Sequence, residues 1–90
     1  MKELRLSSPF KKDLKRITRR GYDRALLDAV VDLLRDGEEL PPARRDHALK
    51  GEWKGHRECH VEPDWLLIYH ATDDELLLAR TGTHADLFGT

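Results

Sequence analysis

The stretch GHRECHVEPDWLLIYHATDDELLLARTGT, residues 55–83, decides the fold. It holds three apolar-rich runs, GHRECHVE (55–62), WLLIYHAT (65–72) and ELLLARTGT (75–83), parted by the turn pairs Pro63-Asp64 and Asp73-Asp74. Runs of this length between such breakers predict antiparallel strands joined as hairpins. Upstream, KELRL (2–6) predicts a short first strand. SSP then starts a helix, with Ser8 as N-cap and Pro9 at the first helical position. Phe10, Leu14 and Ile17 make its apolar stripe, with Lys11, Lys12, Lys15, Arg16 and Arg19 mostly off it. Gly21 stops it. Asp23 caps a second helix that buries Leu27, Val30, Val31 and Leu34 and ends near Gly37. EELPPARRDHALKGEWKG (38–55) has no period and predicts a loop. The order βααβββ predicts an α+β sandwich of two layers: an antiparallel-rich sheet with a helical hairpin on one face and the other face open.

Ninety residues make one domain, 1–90. With 39% hydrophobic and 37% charged residues the chain is charge-rich but able to build a core. It has no apolar run of membrane-spanning length, and MKELRLSSPFKK lacks the core of a signal peptide, so a cytoplasmic protein with no membrane partner is expected. The single Cys59 has no disulfide partner within the chain. The net charge of −1 hides strong blocks: residues 1–20 carry +6 and 40–60 carry +2, against −4 over 23–39 and −5 over 61–90. A basic surface can therefore exist on a nearly neutral molecule.

Strand alternation points His56, Glu58, His60 and Glu62 one way and Arg57, Cys59 and Val61 the other. A turn centred on Pro63 and Asp64 sets Val61 against Leu66 and His60 against Leu67. A similar turn at Asp73 and Asp74 sets Leu67 against Arg80 and Ile68 against Ala79. The expected core face is then Cys59, Val61, Leu66, Ile68, Leu77 and Ala79. The outer face is His60, Trp65, Leu67, Tyr69 and Arg80, and a last strand running past Gly82 brings Thr83 and His84 beside Asp64 and Pro63. A one-residue slip would undo the pairing. The apolar residues left outside, Leu67, Tyr69 and Leu78, predict a protein partner.

Such a corner suits RNA cleavage without a metal. A base must take the 2′-OH proton, an acid must protonate the leaving 5′ oxygen, and positive charge must meet the phosphate. Histidine and arginine fit those tasks. Trp65 and Phe88 are candidates to hold an unstacked base, with Lys54, Arg57, the basic helix and the RRDH loop as phosphate contacts. Structural readings stand beside these. Trp65 can cover the sheet and Trp53 anchor the loop. Arg80 can pair with Glu62 or Asp64, Phe88 can plug Leu67 and Leu78, and His56 and His70 can be surface residues. His60, Asp64 and His84 are also possible metal ligands, but no zinc-type spacing is present.

Finally, RDHALKGEWKGHRECHVEPDWLLIY (45–69) followed by RTGTHADLF (80–88) resembles the YafQ branch of the RelE/ParE toxin superfamily. The resemblance runs motif by motif over residues 44–89, and the N-terminal half fits by element order. It implies a RelE-like fold and an mRNA interferase of a type II toxin-antitoxin system. Such an enzyme cuts mRNA in the ribosomal A site without metal or small-molecule cofactor, leaving a 2′,3′-cyclic phosphate and a 5′-OH. It implies a cognate antitoxin, the ribosome and mRNA as partners. Functional positions carried over are His47, His60, Asp64, Trp65, His84 and Phe88, with Arg80 as a transition-state arginine. His84 would be the acid, and either His47 or the His60–Asp64 pair the base; Glu58 stands where relatives also have an acid. The alternative within the superfamily is a noncatalytic toxin that binds gyrase.

Overall fold

The computed structural model describes residues 1–89. In chain order it has β1 (Glu3–Leu6), α1 (Ser8–Arg19), α2 (Arg24–Arg35), β2 (His47–Ala48), β3 (Arg57–Glu62), β4 (Trp65–Ala71), β5 (Glu75–Gly82) and α3 (His84–Phe88). The five strands form one sheet in the order β1-β5-β4-β3-β2. The expected βααβββ frame is present, with two additions. The 38–55 loop contains β2, two single 3-10 turns at Pro42–Arg44 and Gly51–Trp53, and α3 replaces a straight continuation of the last strand.

Local chemistry accounts for the helices. The N-cap of α1 is Ser7, not Ser8: its side chain accepts from the Phe10 N–H, and Pro9 sits one position further in. Asp23 caps α2 as expected, accepting from Ala25 N–H. Both helices bury their stripes, Phe10 and Ile17 from α1 and Leu27, Val30, Val31 and Leu34 from α2. One buried member of α1 is not apolar: Asp13 is only 4% exposed.

The sheet departs from the expected pairing through two bulges. At each turn the register is the expected one, with Glu62 opposite Trp65 in the first hairpin and Tyr69 opposite Leu78 in the second. Further along, one extra residue intervenes, Val61 in β3 and Ala79 in β5. Cys59 therefore pairs with Leu67, His60 with Leu66, Ile68 with Arg80 and Leu66 with Gly82. The first bulge turns β4 over. Trp65, Leu67 and Tyr69 join Cys59, Val61, Leu76 and Leu78 in the cluster packed against the helices, in place of the expected Leu66, Ile68, Leu77 and Ala79; of these, Leu66, Ile68 and Ala79 are buried all the same, outside that cluster. Leu67, Tyr69 and Leu78 are thus core residues and form no outer docking surface. The second bulge turns β5 back. His60 and Arg80 consequently share the helix-free face after all, by two shifts that cancel.

β1 runs parallel to β5, the one parallel pair in the sheet among the described residues, with Glu3 to Leu6 opposite Glu75 to Leu78. Beyond it α1 covers the β5 edge. Ser7 N–H donates to Leu78 O, Ser7 Oγ to Ala79 O, and Thr81 N–H to Asp13 Oδ2 at 3.2 Å. Polar atoms of the helix start thereby satisfy backbone groups that would otherwise form an open edge.

Candidate active site

All five histidines of the chain fall on the helix-free face. His56, Glu58 and His60 alternate along β3, His47 pairs across to Glu58, and His70 stands with Ile68 and Leu66 on β4. His84, at the start of α3, lies against His60 with ring centroids 5.9 Å apart. Leu66 and Ile68, both fully buried, form an apolar floor between the polar strands.

Three contacts organise the centre. His60 Nδ1 lies 3.1 Å from Pro63 O. A carbonyl oxygen only accepts, so Nδ1 carries the hydrogen and Nε2 of the neutral ring keeps its lone pair. Glu58, 6% exposed, sits between two imidazoles, its Oε1 at 3.4 Å from His47 Nε2 and 4.0 Å from His60 Nε2. On the other side Asp64 Oδ1 accepts from the His84 backbone N–H at 3.0 Å and contacts His84 Nδ1 at 2.6 Å. The backbone N–H of His84, and then its ring, hold the Asp64 carboxyl below the usual carboxylate range. Asp64 stays ionised near neutrality and fixes the ring so that Nε2 is the free nitrogen.

α3 is held in register from both ends. Thr83 and Asp86 form a reciprocal capping box, and Asp86 also takes a two-point contact from Arg20 at 2.8 and 3.1 Å. The Arg20 guanidinium holds the Asp86 carboxyl down at about 2. The expected strand extension past Gly82 is therefore a capped helix start, which brings His84 to Asp64 by a different route.

Arg80 is anchored, not free. Its Nε and Nη2 donate to Asp13 at 2.5 and 3.1 Å, in place of the pairing with Glu62 or Asp64 allowed by the sequence. Hydrogen bonding to Asp13 raises its already high pKa, so its charge is fixed. Asp13 further accepts from Arg16 at 3.1 Å. Arg80 is two strands from His60, about 10 Å by ordinary strand spacing. The only signal of Asp13 in the sequence is that it is the one acid in an otherwise basic helix.

Two nucleic-acid contacts inferred from sequence need correction. Trp65 has no exposed surface: its Nε1 donates to Thr81 Oγ1 at 2.8 Å and its ring meets Tyr22 edge-on at 5.3 Å, so it is a pillar of the core and offers no stacking surface. Arg57 is on the helix side of the sheet, where its Nε donates to Asp46 at 3.0 Å, and Tyr69 donates to the same carboxylate. Neither residue reaches the histidines. Phe88 on α3 is 42% exposed and Lys54 is exposed beside the second 3-10 turn, so both remain accessible. Trp53 packs edge-on against His56 at 5.4 Å. Phe88 has no role over Leu67 and Leu78, which lie on the far side of the sheet.

Among the described residues no three His, Cys, Asp or Glu side chains converge as a metal-binding group, and none of the helices there is long and apolar enough to cross a membrane.

Comparison with known proteins adds to this geometry. A family model described as a bacterial toxin of a type II toxin-antitoxin system, YafQ, matches residues 2–89. The mRNA interferase toxin YafQ of Escherichia coli (strain K12) is 45% identical over 89 residues, covering 98% of this chain and 97% of that protein. The E. coli DinJ-YafQ toxin-antitoxin complex contains a chain that superposes with a TM-score of 0.90 at 45% identity, covering 98% of each. A copper-bound mutant toxin from Helicobacter pylori superposes with a TM-score of 0.92 at 46% identity, over 98% of this chain and all of that one.

Proposed function

The chain belongs to the YafQ family of bacterial type II toxins, and from that premise we propose that it is an mRNA interferase, an endoribonuclease held silent by a cognate antitoxin. The observation that carries the reading is the pair His60 and His84. Their rings lie 5.9 Å apart, and each has Nδ1 engaged by an oxygen, which leaves two Nε2 atoms for proton transfer. That separation suits two groups flanking one phosphorus.

In this mechanism the 2′ oxygen attacks phosphorus and the bond to the 5′ oxygen breaks. Neutral His60 takes the 2′-OH proton at Nε2, and Glu58 beside it stabilises the imidazolium that forms. His84, its Nδ1 held by Asp64, gives a proton from Nε2 to the departing 5′ oxygen. The products are a 2′,3′-cyclic phosphate and a 5′-OH. Asp64 is unsuited to be the base because its lowered pKa makes it a weak one. His47 supports the base through their shared contact with Glu58. Arg80, its charge fixed by Asp13, meets the negative charge that builds on the phosphate.

The substrate is mRNA in the ribosomal A site, and the partner is an antitoxin, as the E. coli relative's complex with DinJ suggests. No metal is invoked in these steps, which use only the side chains named above. The test is to induce the protein in cells, map mRNA 5′ ends, and repeat the cut on naked and ribosome-bound message. Cuts with a cyclic phosphate on the upstream fragment, confined to ribosome-bound message and abolished in His84→Ala, are expected. Intact transcripts, indistinguishable between wild type and His84→Ala, would sink the reading. DNA damage with intact transcripts would favour gyrase binding instead.

A further inference from the structure

A groove opens beside His60. It has a volume of about 530 Å³ and is lined by Leu26 of α2, Arg44 and Arg45 of the first 3-10 turn, and His60, Glu62 and Pro63 of the first hairpin. A space of this size accommodates a nucleotide.

Its chemistry matches one. Arg44 is half-buried and donates Nη1 to Val61 O at 2.5 Å, which fixes the guanidinium against the β3 bulge. Arg45 is exposed and holds φ +49°, the one positive φ outside glycine among the described residues. An arginine in that region carries a backbone cost that glycine or asparagine would avoid. Leu26 and Pro63 give an apolar wall, and Glu62 supplies an acceptor.

Resting on the endoribonuclease reading above, we propose that this groove is a nucleotide subsite flanking the cleaved bond. Arg45, with Arg44, binds a neighbouring phosphate of the message, the apolar wall receives the base, and Glu62 accepts from an exocyclic amino group and so biases which base is held. Continuity argues for RNA as the occupant: His60 lines both groove and catalytic corner, so this space adjoins the place where a strand would be cut. The two guanidinium groups outnumber the one carboxylate.

The experiment measures cleavage of mRNA programmed on ribosomes by wild type, Arg45→Gly, Arg45→Lys and Glu62→Gln, with His84→Ala as the inactive reference. Arg45→Gly keeps the left-handed turn without steric cost, so its melting temperature should not fall. It should raise KM about tenfold with kcat nearly unchanged, the signature of lost uniform binding. The salt dependence should flatten by about one unit of slope, and Arg45→Lys should recover most of the loss. Glu62→Gln should change the bases found next to the cuts. Wild-type KM and salt slope in Arg45→Gly, or unchanged cut-site bases in Glu62→Gln, would overturn the subsite. Full cleavage by Arg45→Gly with weakened antitoxin inhibition would likewise overturn it, assigning the groove to protein. Failure of the underlying reading looks different: wild type would then cut no better than His84→Ala.

Discussion

Asp13 is a surface-helix acid by sequence and a junction by structure, so replacing it should damage stability and catalysis together. Its carboxylate accepts from Arg16, twice from Arg80, and from the Thr81 backbone N–H. Thr81 is fully buried, so Asp13→Ala leaves that donor without a partner at a cost of about 1–3 kcal/mol. The Arg80 side chain is 26% exposed, so water can replace part of its lost ion pair, and that loss is about 1 kcal/mol more. Together these give about 2–4 kcal/mol, or a melting temperature lower by roughly 10–30 °C for a domain of this size. Thermal and urea unfolding followed by circular dichroism would measure it. Asp13→Asn retains one acceptor and should lose about half as much. Below the melting transition, Asp13→Ala should cleave message about as poorly as Arg80→Ala, and the double variant no worse than Arg80→Ala alone, because both changes remove the same positioned guanidinium. Unfolding within about 0.5 kcal/mol of wild type, or full additivity of the two losses in rate, would refute the assignment of Asp13 as the anchor of Arg80.

Leu67→Ala should destabilise the fold by about 2–5 kcal/mol, because Leu67 is fully buried in the helix-side cluster; a neutral result in urea unfolding would contradict the bulged register. Gly82→Ala should loosen α3, since a Cβ there would stand 3.0 Å from Asp86 Cβ and φ is +152°; reduced cleavage with retained β-sheet signal in circular dichroism is the expected outcome. Asp86 has a folded pKa below its unfolded one, so its contribution is fully present above about pH 4 and is lost as pH falls through about 2. The stability gap between wild type and Asp86→Asn should therefore be constant from neutrality to about pH 5 and close in stronger acid. Cys59, unexposed and with its thiol pushed up to about 12 by burial, should resist alkylation until the protein unfolds.

How far the sequence reaches is best judged at WLLIY (65–69). Helix stripes, caps and turns are short-range signals, and they placed α1, α2 and all four long-range strands to within a residue or two. In WLLIY every residue is apolar, so alternation cannot tell which side faces the helices; only the register with β3 decides, and one extra residue at Val61 reverses it. The reversal lets Cys59 and Val61 on β3 be buried with Trp65, Leu67 and Tyr69, the larger set of side chains, against the helices. A bulge costs one unpaired residue and gains that burial, a tertiary trade invisible in a period-two pattern. The same limit explains Trp65: an indole next to a turn reads as exposed, but Thr81 and Tyr22, distant in sequence, provide its hydrogen bond and its edge contact.

The polar face was more legible because its residues are not interchangeable. His60 and Glu58 differ from Cys59 and Val61 in a way that WLLIY residues do not differ from one another, so β3 alone fixed which side carries ionisable groups. Arg80 returned to that side through the second bulge, at Ala79, and this compensation has a physical basis. With β4 turned over, an unbulged β5 that keeps Leu76 and Leu78 against the helices would also send Arg80 there, placing a guanidinium in the core and Thr81 away from Trp65. The bulge at Ala79 keeps Leu78 buried and Arg80 at the rim within reach of Asp13. The sheet thus reconciles two constraints, apolar cover for the helices and charge on the opposite face, with one inserted residue for each. Removing the Ala79 residue should then do more harm to cleavage than any single core truncation of equal cost in stability, since it redirects Arg80, Thr81 and Gly82 at once.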